Sequence, residues 1–587
     1  MKRQNGDHKR LWIGFVSLVL ASFFVLYSYL SWESVKMPLL RFNAPDEQAN
    51  YFFAKYFADE TKLSYSDPLL EVSQHFVHPR SMTASEGEVK PVGFLGFALI
   101  YGILAKIFSV SSLPFFTPFL AVLTTLFFYI ALKKIFDKKI ALVSSALLLI
   151  HPAYWYYSAR AMMPNILFLD LFIIGVSLLV IASSPERKEK YIAVVKAVTK
   201  LQIVRNIFYL KTVLFFLGGF LVALALTVRL SEILWISVLI FLWGLLYIRR
   251  LTVWRVMAFI IGFFIPIAIL FSYNYSLYGN ILSSGYRLLD VTSSTNAVTR
   301  TVDLVQHGQL GGIIVSIKNI IRPFLPLLLP FGYHPEIFWG NAYNYLVTFF
   351  LWFTIPTLAG ILLLLRNQVN TIMRHHVPHH LWYLILWVGL TFWLVIFYGS
   401  WKLTDNINGE VALGVSYVRY WLPSYVMALP FIAMLLVWLF EKGKGMLIRR
   451  TGVILGLGVL LILSARLVYL GGQESLTDVH TRLQEMQSKA QIVFDSTEEN
   501  AVIFSDRSDK IFFPGRNVAS SSHTFPENTL IVTLIEKAPV YYYGLWDEVA
   551  AQYASRTYFE PLGLRWEFMK NVAPKENLYR LTKIPIQ

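Results

Sequence analysis

Apolar runs of about 18 or more residues, long enough to carry an α-helix across a hydrocarbon core of roughly 30 Å, recur through most of this sequence. Backbone placed in lipid has to satisfy its own hydrogen bonds, so each run reads as a membrane-crossing helix. Composition agrees: 56% of residues are hydrophobic and only 15% charged, far from the balance of soluble proteins. The chain is therefore expected to be an α-helical polytopic membrane protein. Only the last stretch, from about Gly472, lacks such runs.

Net charge decides the orientation rather than a ligand. A value of +16 would point to nucleic acid in a soluble protein, but here the lysines and arginines fall in short clusters between apolar segments. That is positive-inside punctuation, and no nucleic-acid partner is expected. The absence of cysteine excludes disulfides and thiol chemistry. The basic N-terminus before residues 11–30 resembles a signal peptide without a small-residue cleavage pattern, which predicts a retained first helix.

With basic clusters held inside, about 11 crossings are expected, at residues 11–32, 113–132, 140–157, 165–183, 212–229, 232–248, 256–275, 342–365, 381–398, 421–440 and 451–470. The Gly-rich segment 93–108 would put the Lys133–Lys139 cluster outside if it crossed, so it is expected to lie along the membrane or re-enter. The apolar stretch 311–329, inside an external excursion over 276–341, is expected to behave similarly. Residues 186–211 form a basic inner loop. Residues 1–470 then make a transmembrane domain, and 471–587 an external soluble α/β domain with a helix over 475–496 and strands near 501–505, 529–534 and 578–582.

Outside the membrane, the stretch Arg41–Tyr51 stands out for its adjacent acids, Asp46 and Glu47. Asn43 suits a helix N-cap and Pro45 the first turn, where the macrodipole favours both carboxylates. Ala49, Phe52, Phe53, Tyr56 and Phe57 share one side of that helix, which predicts an interfacial position. Lys90, Arg160, Asn165, Arg229, Tyr286 beside Arg287, and Arg419 with Tyr420 also fall on the external side. Cations at external helix ends break the positive-inside bias, and ionisable groups near membrane depth usually face a cavity or a partner. Arg160, Arg229 and Arg419 with Lys90 and a carboxylate describe a basic pocket with an acid at its rim, suited to a lipid-linked phosphate.

Each residue also has a plainer reading. The two acids suffice as helix N-terminal charges, Lys90 can snorkel, and Arg160 and Arg419 can meet headgroups or acids such as Glu410. Arg229 can be a loop cation and Tyr286 a belt aromatic. His375, His376, His379 and His380 cluster on the inner side without a carboxylate, and His75 and His78 lie three apart outside. No metal site is expected from either group, and the sequence supports no cofactor or divalent metal.

Pro45-Asp46-Glu47 in the first external loop, Lys90-Pro91 before a surface helix, Leu149-Ile150-His151-Pro152, Ser158-Ala159-Arg160 and Met163-Pro164 occur in that order. Tyr278-Gly279-Asn280, Ser284-Gly285-Tyr286 and Arg419-Tyr420 with Pro423 follow. Over roughly residues 10–470 this order resembles the GT-C membrane glycosyltransferases, and more closely the polyprenyl-phosphate-sugar users of the protein mannosyltransferase and aminoarabinose transferase group. The resemblance implies a first-loop general base at Asp46 with Glu47 beside it, and a lysine near the donor phosphate at Lys90. Asn165 stands where many members carry an aspartate, which leaves a second acidic site, or a metal site built on it, without its ligand.

The expected function is transfer of a sugar from a polyprenyl-phosphate donor to a glycan, lipid or protein acceptor on the extracytoplasmic face. Inversion at the anomeric centre is implied by the family. Asp46 and Glu47 are the catalytic candidates. Lys90, Arg160, Asn165, Arg229, Tyr286, Arg419 and Tyr420 are the substrate-binding ones. The rivals are a transporter or flippase of lipid-linked saccharides and a non-catalytic envelope-assembly protein. Nearly charge-free helix centres and the lack of paired halves argue against the transporter.

Overall fold

The structure is a computed structural model and describes residues 2–37, 42–184, 200–248, 251–286, 328–372, 379–402, 410–441, 446–520 and 528–584. Arg41, Arg287, His375, His376, most of the stretch 311–329 and much of the 186–211 loop lie outside the described residues.

Among the described residues, nine helices are long and apolar enough to cross a membrane, or up to 11 if each of two bent pairs is one span. The bent pairs fall on the expected crossings at 140–157 and 342–365. In the first, Lys138–Ile150 and Pro152–Ala159 meet at 52°. His151 there is extended, with φ −66° and ψ 123°, and Pro152 has no N–H to continue the helical ladder. In the second, Pro335–Thr348 and Leu351–Arg366 meet at 89° just past a π-helical turn over Tyr343–Thr348. The helix Gly96–Ile107 has 12 residues, which at about 1.5 Å per residue cannot span a bilayer.

The chain divides into two compact units. The first comprises Met1–Tyr29, Phe115–Leu270 and Ser293–Leu476; the second comprises Leu30–Pro114, Phe271–Thr292 and Thr477–Gln587. In the first unit the helices Lys200–Val228 and Val253–Tyr278 approach through reciprocal glycines. A Cβ on Gly219 would lie 2.4 Å from the Phe259 carbonyl oxygen, and one on Gly262 would lie 2.2 Å from that of Phe216. Lipid supplies no hydrophobic drive between helices, so close backbone approach at small residues holds them. Gly262→Leu is expected to cost about 1–3 kcal/mol by overpacking. Gly244→Leu, placed where nothing lies within 4 Å, should leave the melting temperature in detergent unchanged, which makes it the control.

The second unit holds both sheets. Strands β1 (Tyr65–Ser66), β2 (Met82–Ser85) and β3 (Glu88–Pro91) make a small antiparallel sheet in the order β1-β3-β2. Strands β4 (Val502–Ser505), β5 (Asn517–Ser520), β6 (Val540–Gly544), β7 (Leu564–Ala573) and β8 (Glu576–Lys583) form a second sheet, ordered β5-β4-β6-β8-β7. In it β5 and β6 flank β4 in parallel, while β8 and β7 run antiparallel.

The expected strand at 529–534 is instead part of a helix, Asn528–Lys537. Its β-branched run favours a strand locally, but parallel β5 and β6 need a crossover. Ile531, Leu534 and Ala538, at helical spacing, are buried with Val502, Phe504, Val540 and Tyr542. Val77 joins the same core, Leu69 packs against it, and Phe76 stacks on Phe504. The first loop thus shares a hydrophobic core with the C-terminal strands.

Candidate functional site

Asp46 and Glu47 occupy the first turn of the helix Pro45–Glu60. The N-cap is Ala44 rather than the expected Asn43, and no side-chain oxygen caps it. Glu47 takes over the task from within the helix: buried, it accepts a hydrogen bond from the Ala44 N–H at 3.0 Å. Asp46 points elsewhere and is half-buried. Its Oδ1 accepts a hydrogen bond of 2.6 Å from the Ser81 hydroxyl. The adjacent acids therefore have separate surroundings, as a 100° turn between neighbours requires.

The aromatic side of this helix meets protein. Ala49, Phe53 and Phe57 are buried, and a Cβ on Gly102 of the Gly96–Ile107 helix would lie 2.6 Å from Phe57. Lys90 sits in β3 opposite Thr83, only 3% exposed, with its ammonium 3.3 Å from Glu86. Tyr286 is half-exposed and packs against Phe94, with ring centroids 5.7 Å apart. Asp46, Lys90 and Tyr286 belong to the second unit.

The other candidates belong to the first unit, and there the structure links them. Tyr420 stacks on Tyr398 at 4.4 Å. Its ring faces two guanidiniums, Arg229 at 5.0 Å and Arg419 at 5.2 Å. Arg419 also reaches the Met163 sulfur at 3.2 Å, and the Asn165 amide donates to the Arg419 carbonyl at 3.4 Å. Arg160 lies at the end of the Pro152–Ala159 helix and donates to the Tyr156 hydroxyl at 2.7 Å.

Two acids that sequence reasoning missed complete this cluster. Glu232 binds Arg229 Nε and Nη2 at 2.9 and 2.8 Å, and also accepts from the Tyr398 hydroxyl and the Trp235 indole. Its signal was the i,i+3 spacing from Arg229. Glu474 lies 3.7 Å from Arg160 and has a left-handed backbone, φ 63°; its signal was an acid just past the last apolar run. Asp170, also unread, is fully buried inside the span Pro164–Ser183 and accepts from the Tyr154 hydroxyl at 2.6 Å. Ser81, which holds Asp46, left no local signal.

Chemically, the first unit offers a cationic, aromatic-lined cluster suited to an anion, and the second a held carboxylate suited to proton transfer. Among the described residues no three His, Cys, Asp or Glu side chains gather as a metal would require. Asn165 donates its amide to the Arg419 carbonyl.

His78, beside the Asp46-holding turn, has its imidazole pKa pushed below the ordinary 6.5 by desolvation, against the opposing pull of the Pro79 carbonyl and Asp509. The folded state therefore keeps His78 neutral where the unfolded chain takes a proton, so stability falls as pH drops below 6.5. Hydrogen exchange in residues 76–92, corrected for intrinsic rates, is expected to speed up between pH 7 and 5.5. His78→Asn should flatten that dependence.

No protein-family model matches the sequence, and none of the curated proteins compared with it matches. Solved structures do. The chain is similar to the Archaeoglobus fulgidus oligosaccharyltransferase tethered to an acceptor peptide containing the NVT sequon, with a TM-score of 0.52 and 14% identity, covering 91% of this chain and 69% of that one. It is similar to the same protein, AglB, in complex with an inhibitory peptide and a dolichol-phosphate, at a TM-score of 0.51 and 14% identity, again covering 91% and 69%. ArnT from Cupriavidus metallidurans bound to undecaprenyl phosphate also matches, at 10% identity and a TM-score of 0.48, covering 97% of this chain and 98% of that one. The likeness to AglB shows the fold: this integral membrane protein has an AglB-like GT-C fold.

Proposed function

We propose that this protein transfers a sugar from a polyprenyl-phosphate-linked donor to a glycan, lipid or protein acceptor on the extracytoplasmic face. The observation that carries this reading is the shared fold with AglB along 91% of the chain. AglB is an oligosaccharyltransferase described with an acceptor peptide, and with an inhibitory peptide and a dolichol-phosphate. In the proposed reaction the acceptor oxygen attacks the anomeric carbon while the bond from that carbon to the phosphate oxygen breaks. The acceptor proton passes to the Asp46 carboxylate, and the polyprenyl phosphate leaves as an anion. Direct displacement inverts the anomeric centre.

Roles follow from the surroundings of each residue. Arg419 is the leading phosphate ligand in this reading, oriented by Asn165 and Tyr420, with Arg160 of the same unit as a further cation. Arg229 packs against the Tyr420 ring while bonded to Glu232. Fixed cations at a water-poor membrane boundary stabilise charge on the departing phosphate without reorganising. Glu47 keeps the helix end that presents Asp46.

The test is twofold. Mass spectrometry of glycans from cells with and without this protein should show loss of one sugar from one glycan class. Liposomes holding the purified protein and undecaprenyl- or dolichyl-phosphate-linked sugars should release polyprenyl phosphate only when an acceptor is present. An unchanged glycan profile together with passage of intact lipid-linked saccharide across the bilayer would replace this reading with the transporter.

A further inference from the structure

The loop that carries Asp46 is gripped by one short segment between β4 and β5, the helical turn Asp509–Phe512 with Phe513 after it. Asp509 is buried, and both its carboxylate oxygens face Arg80: Oδ2 accepts from the Arg80 backbone N–H at 2.8 Å and Oδ1 from Nε at 2.7 Å. Arg80 Nη2 adds a bond of 2.5 Å to the Arg507 carbonyl. The next residue, Ser81, is the donor to Asp46 at 2.6 Å. Ser81 holds a left-handed backbone, φ 62°, which a non-glycine residue keeps only where its surroundings over-determine it. Here Arg80 is fixed on one side of Ser81 and the β2–β3 pairing on the other.

The same segment also reaches the other flank of Asp46. The Lys510 ammonium donates to the Asn43 carbonyl, three residues before Asp46. The Phe513 ring packs edge-on against Phe52 of the Asp46 helix, with centroids 4.8 Å apart. Asp509 follows the carboxyl end of β4, whose parallel neighbours β5 and β6 lie on opposite sides. In open α/β sheets the carboxyl ends of strands at such a reversal are where ligands are usually received. In this protein the Arg80 side chain of the chain's own first loop is seated there.

We propose that the C-terminal α/β module serves as a scaffold for the general base, with Asp509 and Lys510 as positioning residues that fix Asp46 through Arg80 and Ser81 on one flank and Asn43 on the other. This rests on the reading of Asp46 as the base. It gives the C-terminal residues a part in turnover without contact to substrate. Displacing a base by about an ångström can cost on the order of 10²-fold in rate while leaving substrate binding intact.

The experiment uses the full-length protein in liposomes with a polyprenyl-phosphate sugar that supports transfer. Asp509→Asn and Ser81→Ala are each expected to lower kcat by about tenfold or more, with the donor KM within about twofold of normal. Asp509→Glu should restore part of the loss. Because both act along one path, the Ser81→Ala/Asp509→Asn double variant should be little slower than the worse single variant. If Asp509→Asn loses its cooperative melt, Ser81→Ala, which removes one hydroxyl from a half-buried site, carries the decision alone. Unchanged kcat in a folded Asp509→Asn and in Ser81→Ala overturns the scaffold while Asp46→Asn is inactive. Normal transfer by Asp46→Asn instead overturns the base assignment itself.

Discussion

Replacing Asp46 by Asn is expected to slow transfer about 10²- to 10⁴-fold, the contribution of a positioned general base, without unfolding the protein. Asparagine keeps the shape and one acceptor oxygen for the Ser81 hydroxyl, so the 2.6 Å bond can survive. What it loses at the helix N-terminus is about 0.3–1 kcal/mol of macrodipole interaction, too little to explain a hundredfold rate change through unfolding. Glu47→Gln separates the two acids. Glutamine still accepts from the Ala44 N–H, the bond Glu47 makes at 3.0 Å, and its cost in transfer should stay below about tenfold. Steady-state kinetics with a verified donor, beside melting curves of both variants, check the pair. Equal losses at Asp46 and Glu47 would mean that helix electrostatics, not proton transfer, is at work.

Arg229→Met is the second large effect, and it is expected in stability. Arg229 and Glu232 are buried, with side-chain exposures of 10% and 4% at 2.8 Å, and Glu232 is further bonded to Tyr398 and Trp235. Removing the cation strands a buried carboxylate, which typically costs about 3–5 kcal/mol. The Arg229→Met/Glu232→Met double variant should recover most of that, since replacing a whole buried pair by apolar groups is often close to neutral. Thermal melts of the two variants measure this. The double variant also tests chemistry: donor KM near normal assigns Arg229 to holding Tyr398 and Tyr420, whereas a folded double variant with donor KM raised tenfold or more makes it a phosphate ligand.

The residues of this cluster differ in how legible they are in the sequence. Cations beside predicted external helix ends are rare, which singles out Arg229 and Arg419, and in the structure both guanidiniums face the Tyr420 ring. Their neutralising acids carry a weaker signal. Glu232 looked like an ordinary loop residue until its burial was known, and Glu474 pairs with Arg160 from 314 positions away (474 − 160). Asn43 looked like a cap by type, but Glu47 already satisfied the Ala44 N–H. The stretch 529–534 looked like a strand because β-branched residues favour one, and the parallel crossover overrode that preference.

The sequence by itself determined that this chain crosses a membrane many times, because transfer into lipid depends on local apolar length and needs no knowledge of neighbours. The bent crossing at His151-Pro152 was legible in part for the same reason: proline acts on its own helix. Only the tertiary structure decided that the first loop and the C-terminal strands share a core, and that Ser81 and Arg80 stand between Asp46 and Asp509. Those contacts join residues 35 and 429 positions apart. Hydrogen bonds and ion pairs of that reach depend on how the backbone is brought together, and no local composition or period records it.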